Sequence, residues 1–242
     1  MTIMEAIDAR RSRRKYLETP VAKDAAEKLD ALAWEYSEAS GTRMEFVWND
    51  GGAFNGLRKS YGMFTGVTNY AGLIAEKDNA ILAEKMGYYG ELLMLRAVSL
   101  GLGTCWVGGS FDKKSCPFKL AAGEAIYCTI TVGNVAEQDS LKERLIRGIT
   151  HRKTKTVEEM YKSDAPVPDW FMSGMRAVER APSAINRQPV MFTYEDGHVF
   201  AGVKDTADIS MALDLGIAKQ HFELGAGRGK WGFGNNAEFI YE

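Results

Sequence analysis

The sequence predicts an α+β fold, in which helices and strands are mixed without strict strand–helix–strand alternation. Longer segments place apolar residues at helical spacing, as at Leu29, Leu32 and Tyr36. Shorter segments alternate apolar and polar residues or are rich in β-branched residues, which is typical of strands. Glycine or proline bounds many of these segments, so the elements can be placed along the chain.

The first half of the chain is predicted to begin with a short helix. Thr2 and Glu5 form the capping box T-x-x-E, which predicts a helix that ends near Arg11. Further helices are predicted at residues 22–39, 76–100 and 140–147, and strands at residues 43–48, 70–75, 104–107 and 125–132. The glycine-rich, aromatic segment 49–69 is predicted to be a loop or lid of unassigned role.

A segment with two of the six prolines, residues 164–168, is the predicted linker between a first part, 1–163, and a second part, 164–242. Helices are predicted in the second part at residues 169–180 and 208–224, and strands at residues 190–194, 199–203 and 237–241. An Asp196-Gly197 turn is expected between the first two of these strands.

One pattern occurs in both parts. The segments from Gly90 to Trp106 and from Gly216 to Trp231 both predict a helix, a glycine-spaced turn and a tryptophan in a strand. The glycines are 126 residues apart and the tryptophans 125. Chance produces such matches fairly often, so an internal half-repeat and a coincidence both stay open.

Composition and charge exclude several classes of protein. The 242 residues are 45% hydrophobic and 26% charged, which excludes wholesale disorder, collagen and a coiled-coil rod. The formal net charge of −2 gives no basic excess for nucleic acid. Arg96 and several glycines interrupt the longest low-charge stretch, residues 92–111, so no membrane span is predicted.

Cysteine and histidine usage predicts a cytoplasmic protein without a metal site. Cys105, Cys116 and Cys128 form no C-x-x-C motif, and their odd number favours free thiols in a reducing compartment. Glu5 and Asp8 lie where a secretory signal would carry no acidic residue. The three histidines show no ligand spacing.

A basic cluster, residues 10–15, follows the first helix. In an extended segment, alternation separates Ser12 and Arg14 from Arg11, Arg13 and Lys15. Ser12 and Arg14 could then hold one anion, because a guanidinium binds phosphate bidentately and a hydroxyl adds a donor. A solvated basic face is the alternative, and spacing alone slightly favours it.

Three further motifs have both a functional and a structural interpretation. The proline-bracketed loop 181–189 carries Ser183, Asn186 and Gln188, which could recognise the edge of a heterocycle, or it is a well-made turn. The glycines of segment 101–109 allow backbone to approach a flat ring, or they allow tight helix–strand packing. The GxGxxG match at residues 227–232 follows a helix, not a strand, and is discounted as a dinucleotide site.

Taken together, these motifs resemble the flavin-dependent nitroreductase family. The segments that carry the resemblance are RRSRRKY (10–16), GLGTCWVGG (101–109), TVGN (131–134), HRKTKTVEE (151–159) and APSAINRQP (181–189). The resemblance implies an α/β/α sandwich with a central, mainly antiparallel sheet. It also implies an FMN enzyme that reduces nitroaromatics, quinones or similar small acceptors with NADH or NADPH.

In such enzymes the flavin carries the hydride chemistry, so no catalytic side chain is expected. The FMN-binding residues that the resemblance implies are Arg10, Arg11, Ser12, Arg14, Thr104, Cys105, Val107, Gly108, Gly109, Arg152, Lys153, Lys155, Pro182, Ser183, Ala184, Asn186 and Gln188. The thiol of Cys105 is expected to be inert inside an apolar strand. The alternatives are a flavin-dependent dehalogenase or ene-reductase on the same fold, and a flavin-binding or flavin-sensing protein without turnover.

The order of the motifs departs from the family pattern. Most members carry the PSxxNxQP loop shortly after the first helices, and in the common homodimer the partner chain supplies it; here the loop lies near the C-terminus. This order predicts that residues 164–242 are a degenerate second nitroreductase-like half that completes the flavin site within one chain, as an internal pseudo-dimer. The expected protein is a monomer or homodimer with a small-molecule acceptor and with no nucleic-acid or membrane partner.

Overall fold

The computed structural model describes residues 1–54, 59–138, 143, 148 and 154–242. The described residues contain five α-helices: α1 (Ile3–Ala9), α2 (Lys23–Ser40), α3 (Ala80–Ser99), α4 (Asp169–Glu179) and α5 (Ile209–Ala226). They also contain nine strands: β1 (Arg43–Val47), β2 (Tyr70–Glu76), β3 (Gly103–Val107), β4 (Glu124–Gly133), β5 (Tyr161–Ser163), β6 (Met191–Glu195), β7 (His198–Gly202), β8 (Lys230–Trp231) and β9 (Ala237–Ile240). None of these helices combines the length and the apolar character that spanning a membrane requires.

Local sequence signals place most element ends correctly. The capping box of Thr2 and Glu5 opens α1. Gly41 ends α2 in the left-handed conformation that glycine adopts without steric cost. The helix predicted from residue 76 begins later, at Ala80, because Glu76 still pairs with Glu124 in the sheet. The helix predicted at 140–147 lies outside the described residues, apart from Glu143.

The chain forms two compact units, one of Met1–Lys77 with Leu93–Thr150 and one of Asp78–Leu92 with His151–Glu242. These bounds differ from the predicted division between residues 163 and 164. Strand β5 explains part of the difference, because it precedes the predicted linker yet pairs in parallel with β6 of the second unit. The interpretation of residues 164–242 as a nitroreductase-like half stays a prediction.

Each unit holds one sheet, and the two sheets share a topology. The order in the first unit is β1-β2-β4-β3, with every pair antiparallel. The order in the second unit is β5-β6-β7-β9-β8, in which only the short β5 is parallel to its neighbour. Without β5, both sheets have the same strand order and directions. The predicted α+β class is confirmed, with mainly antiparallel pairing.

The helices also follow the shared pattern. In chain order, α3 lies between β2 and β3, and α5 lies between β7 and β8. Trp106 lies in β3 and Trp231 in β8, each after a helix and a turn, as the sequence pattern predicts. The agreement in topology extends well beyond the two matched segments, which favours the half-repeat over coincidence.

The core of the second unit is aromatic, with Phe222 of α5 at its centre. The Phe222 ring lies 5.1–5.5 Å from the rings of Phe171, Phe192, Trp231 and Phe239. Most of these pairs meet edge to face, the arrangement that the ring quadrupole favours. Packing of the core therefore accounts for these aromatic residues without a ligand.

Two glycines let the first part of α3 approach α5 closely. A Cβ at Gly87 would lie 2.1 Å from the carbonyl oxygen of Leu213, and one at Gly216 would lie 1.8 Å from that of Glu84. Beside this contact, the buried ammonium of Lys219 donates to Glu84 at 2.6 Å and to the carbonyls of Gly232 and Gly234. All three ammonium donors are satisfied, although burial lowers the pKa of Lys219.

Replacing Gly216 with alanine is expected to lower the free energy of unfolding by about 1–3 kcal/mol or more, since overpacking usually costs this much. The added methyl group would meet helix backbone, which cannot move aside as a flexible side chain can. Urea unfolding of the purified protein measures the change. Gly109→Ala is the control, because a Cβ there meets no atom within 4 Å. Equal midpoints for both variants would contradict the close helix contact.

Candidate functional site

The basic segment forms an additional, irregular strand at the edge of the first sheet. Ser12 forms a parallel bridge with Thr104 of β3, and the Arg13 N–H donates to the Thr104 carbonyl at 2.8 Å. On the other side, the Thr65 N–H donates to the carbonyl of Arg14 at 2.9 Å. The segment is therefore held between β3 and the end of the predicted loop 49–69, which gives this part of the loop a positioning role.

Gly66 makes the second of these contacts possible. Its φ of +71° is left-handed, and a Cβ at this position would lie 2.4 Å from the carbonyl oxygen of Tyr16. Only glycine fits both the conformation and the distance. Tyr16 itself is buried, and its hydroxyl hydrogen-bonds Thr131 Oγ1 at 2.7 Å. The end of the basic segment is thus fixed by packing as well as by hydrogen bonds.

A buried carboxylate fixes the middle of the segment. Glu143 Oε1 accepts from Arg13 Nε at 3.2 Å and from the backbone N–H groups of Arg14 and Lys15 at 2.8 and 3.1 Å. Arg13 and Glu143 are both almost fully buried, so the ion pair is shielded from water. Arg13 is therefore a structural residue of the first unit.

The predicted alternation of the segment is confirmed by its contacts. Arg13 donates to the carbonyl of Ala136 at 2.8 Å, and Arg11 donates to the neighbouring carbonyl of Glu137 at 2.9 Å. On the other side, Ser12 and Arg14 both act on the pKa of the Cys105 thiol, which they lower. The structure therefore groups Arg11 with Arg13, and not with the predicted anion-binding pair.

Arg10, Ser12 and Arg14 gather around the start of β3. Burial raises the pKa of the Cys105 thiol, while the charges of Arg14 and Arg10 and the Ser12 hydroxyl oppose this rise. The raised pKa agrees with the expectation of an inert thiol. The Arg14 guanidinium makes no ion pair or hydrogen bond with any residue that the structure describes, and Arg14 is half-buried.

Strand β3 presents two features to this group. The Thr104 hydroxyl is buried and has no hydrogen-bond partner within the described part of the chain. Gly108 and Gly109 follow the strand, are exposed, and have open space where a Cβ would lie. Val107 points into the core, so only its backbone is available to a ligand.

The loop 181–189 of the second unit has an unusual backbone. Ile185, Asn186 and Gln188 have φ values of 48°, 52° and 44°. Left-handed conformations are uncommon outside glycine, and for a β-branched residue such as isoleucine they are outliers. The Ile185 side chain is 59% exposed, so packing of that side chain does not explain its conformation.

The polar groups of this loop contact one another and the preceding residues Lys155 and Met160. Gln188 accepts from the Lys155 N–H at 2.8 Å, its amide contacts Met160 Sδ, and its own N–H donates to Ser183 Oγ at 2.9 Å. The Lys155 ammonium donates to the Gln188 carbonyl at 2.7 Å. Gln188, Ser183 and Lys155 were expected to face a cofactor; these contacts give them a role in shaping the loop.

The other predicted residues of the second unit are Asn186, Ala184, Pro182, Arg152 and Lys153. Asn186 is half-buried, and its amide is 3.5 Å from Thr154 Oγ1. The Ala184 N–H donates to Asp214 at 3.0 Å, and Pro182 lines a small cavity beside that carboxylate. Arg152 and Lys153 lie outside the described residues. The two groups of predicted residues belong to different compact units.

Comparison with known proteins identifies the family. A family model described as "Putative TM nitroreductase" matches residues 2–226. The chain belongs to this nitroreductase family. No curated protein matches the sequence.

Several solved structures are similar to this chain, and one of them, from Thermotoga maritima, supports the fold. The "putative nitroreductase" of Thermotoga maritima is 18% identical, covers 100% of this chain and 93% of its own, and has a TM-score of 0.68. An FMN complex from Desulfovibrio desulfuricans and a nitroreductase with bound FMN from Bacteroides fragilis are 18% and 19% identical. They cover 60% and 59% of this chain and 96% and 93% of their own, with TM-scores of 0.44 and 0.42. The likeness to the Thermotoga structure covers the whole length of this chain.

The first unit of this nitroreductase-family protein suits a flat ligand with an anionic group. Arg14 is a half-buried cation and Thr104 has a buried hydroxyl, and neither group has a partner among the described residues, so a ligand could satisfy both. The open backbone of Gly108 and Gly109 leaves room for a ring. FMN has both an anionic phosphate and a flat ring, so the residues present fit it.

Sequence reasoning missed two acidic residues that shape these groups. Glu143 lies within a weakly predicted helix, and nothing near it in the sequence marks its partners, which are about 130 residues away. Asp214 left a signal, because it interrupts the apolar run of a predicted core helix. A carboxylate at such a position is expected to have a specific partner.

Replacing Arg13 with alanine is expected to lower the free energy of unfolding by about 3–5 kcal/mol, because Glu143 would stay buried without its counter-charge. Arg14→Ala is expected to change it by only about 0.5 kcal/mol, since that side chain has no described partner to lose. Urea unfolding of the flavin-free variants measures both values. A similar loss in both variants would contradict the different roles assigned to the two neighbours.

Proposed function

We propose that this protein is an FMN-dependent oxidoreductase that takes hydride from NADH or NADPH and reduces a small acceptor such as a nitroaromatic compound or a quinone. Membership of the nitroreductase family supports the class of reaction. The observation that carries the cofactor assignment is the Arg14 guanidinium, which is half-buried beside β3 without a described counter-charge. A cation in this state favours an anionic ligand, because the bound anion replaces lost hydration.

Residues of the first unit would supply charge and donors to the cofactor. When bound, FMN supplies the hydride chemistry, accepting hydride from the nicotinamide and donating it to the acceptor. Arg14 and Arg10 would place positive charge beside it, which stabilises the phosphate and the reduced, anionic ring. Ser12 would add a hydroxyl donor. The exposed backbone after β3, at Gly108 and Gly109, would lie against the ring.

The first unit fixes the backbone of Arg14 before any ligand binds. Glu143 holds the backbone N–H groups of Arg14 and Lys15, and Thr65 holds the Arg14 carbonyl. The backbone of Arg14 is therefore fixed on both sides, and only its side chain has to be ordered on binding. Such preorganisation reduces the entropic cost of binding.

The remaining expectations are part of the proposal. Cys105, Cys116 and Cys128 are free thiols, which supports a reducing, cytoplasmic location. The proposed partner is a small-molecule acceptor, without nucleic acid or membrane, and the proposed state is a monomer or a homodimer. The basic groups suit one terminal phosphate, which favours FMN over FAD.

The cofactor is tested by releasing it from the purified protein with heat and measuring its mass. FMN is the expected product, from the protein as isolated or after reconstitution. Anaerobic addition of NADH or NADPH is then expected to bleach the flavin absorbance, and an acceptor such as a quinone to restore it. Recovery of FAD, or of no flavin after reconstitution, would contradict the cofactor. Bound flavin that neither nicotinamide bleaches would instead indicate a flavin-sensing protein.

Arg14→Ala is expected to weaken FMN binding by about 1.5–3 kcal/mol, the range for a hydrogen bond to a charged group. This corresponds to a dissociation constant about 10- to 150-fold higher, measured by flavin fluorescence titration. Lys15→Ala is the matched control, because it removes the same charge from an exposed neighbour. Equal weakening in both variants would favour a solvated basic face over a defined site.

A further inference from the structure

The left-handed residues of loop 183–188 need a restraint from outside the loop. Ile185 and Asn186 are consecutive left-handed residues, and Gln188 is a third within four positions. Such conformations persist only where the surrounding structure enforces them, and they concentrate at functional sites. The contacts of Ser183, Gln188 and Lys155 bind the ends of the loop. They do not reach the residue that immediately precedes the strained pair.

Asp214 contacts the residue that precedes the strained pair, Ala184. Both of its carboxylate oxygens lie within hydrogen-bond distance of the Ala184 N–H, at 3.0 and 3.2 Å. No other hydrogen bond to the Asp214 side chain occurs among the described residues. Aspartate is a poor helix former in the interior of α5, and this side chain is only 4% exposed. A buried carboxylate with a single partner is costly, so its presence favours a specific role for that contact.

We propose that Asp214 is a positioning residue that holds the loop 183–188 closed in its left-handed conformation, and that its ionisation releases the loop. The proposal goes beyond the proposed function, because it concerns the control of a loop within the second unit and does not depend on the cofactor.

Burial of Asp214, more than the charges around it, determines the direction of this control. Arg187 and Asp208 are the charged groups that face it, with opposite effects, and the small cavity beside it is lined otherwise by groups that do not titrate in this range. Burial is the largest influence and raises the pKa of Asp214 to about 7, against the opposing effects of the Ala184 hydrogen bond and Arg187.

Release of the loop would hydrate the carboxylate and lower its pKa. Between the two pKa values, the closed loop therefore binds more protons than the released loop. Rising pH must then shift the equilibrium towards release, by up to about tenfold per pH unit. The cavity, about 20 Å³, has room for one water molecule beside the carboxylate, which is a first step in its hydration.

Hydrogen exchange of the Ala184 amide tests the proposal on the flavin-free full-length protein between pH 5.5 and 8.5. Protection is corrected for the intrinsic exchange rate at each pH. In the wild type, protection of this amide is expected to fall as the pH rises from 5.5 towards about 7 and to level off at higher pH. Asp214→Asn keeps the shape and an acceptor, so its protection is expected to stay constant with pH. Asp214→Ala is expected to lose protection at every pH.

Asp208→Asn is the matched control, because it removes a carboxylate that pairs with Arg187 of the same loop at 3.4 Å. Asparagine is also a good N-cap, so α5 should keep its start at this residue. This variant is expected to retain the fall in protection. Constant protection in the wild type, or equal loss of the pH response in Asp208→Asn and Asp214→Asn, would overturn the proposal. If Asp214→Ala fails to fold, the asparagine variants carry the test.

FMN titration at the same pH values separates this proposal from the proposed function. Failure of the wild type to bind FMN at any pH would contradict the proposed function, while the exchange result would still decide the role of Asp214.

Discussion

Glu143 accepts three hydrogen bonds through one oxygen, from the Arg13 side chain and from the N–H groups of Arg14 and Lys15. This one acceptor fixes the direction of the basic segment, because two successive N–H groups and the preceding side chain all converge on it. The segment can then pair with β3 on one side and with Thr65 on the other. Without this restraint, five basic residues so close in sequence would repel one another and favour a solvated, disordered segment.

The same physical constraint, that a buried charge needs a partner, distinguishes two acidic residues of this protein. Glu143 has the Arg13 guanidinium beside it, so its burial creates a rigid support. Among the described residues, Asp214 has only an N–H group and a more distant guanidinium as favourable partners, and burial raises its pKa to about 7. One carboxylate therefore suits a permanent structural role, and the other suits a role that changes with pH.

The two sheets share a topology, and the predicted site residues are divided between the two units that contain these sheets. The first unit carries the basic group and the open backbone after β3, and the second carries the strained loop. In the second unit, the approach of α3 to α5 requires glycine at two positions and satisfies the buried ammonium of Lys219 completely. A helix contact this close leaves little tolerance for larger residues, and it constrains the sequence independently of any ligand.

The sequence alone determined most elements and the family, because these depend on neighbours in the chain. The capping box at Thr2, the helix end at Gly41 and the alternation of Ser12 and Arg14 are all local patterns. The tertiary structure decided which polar residue serves which purpose. Arg13 and Arg14 are adjacent arginines, yet in the described part of the chain only Arg13 has a buried partner, and that partner is 130 residues away. Gln188 likewise has the amide side chain of a ligand-binding residue. Its side-chain oxygen, however, accepts a hydrogen bond from the N–H of Lys155, 33 residues away. A side chain's residue type states what it can bind, whereas its actual partner depends on which distant segments the fold brings against it.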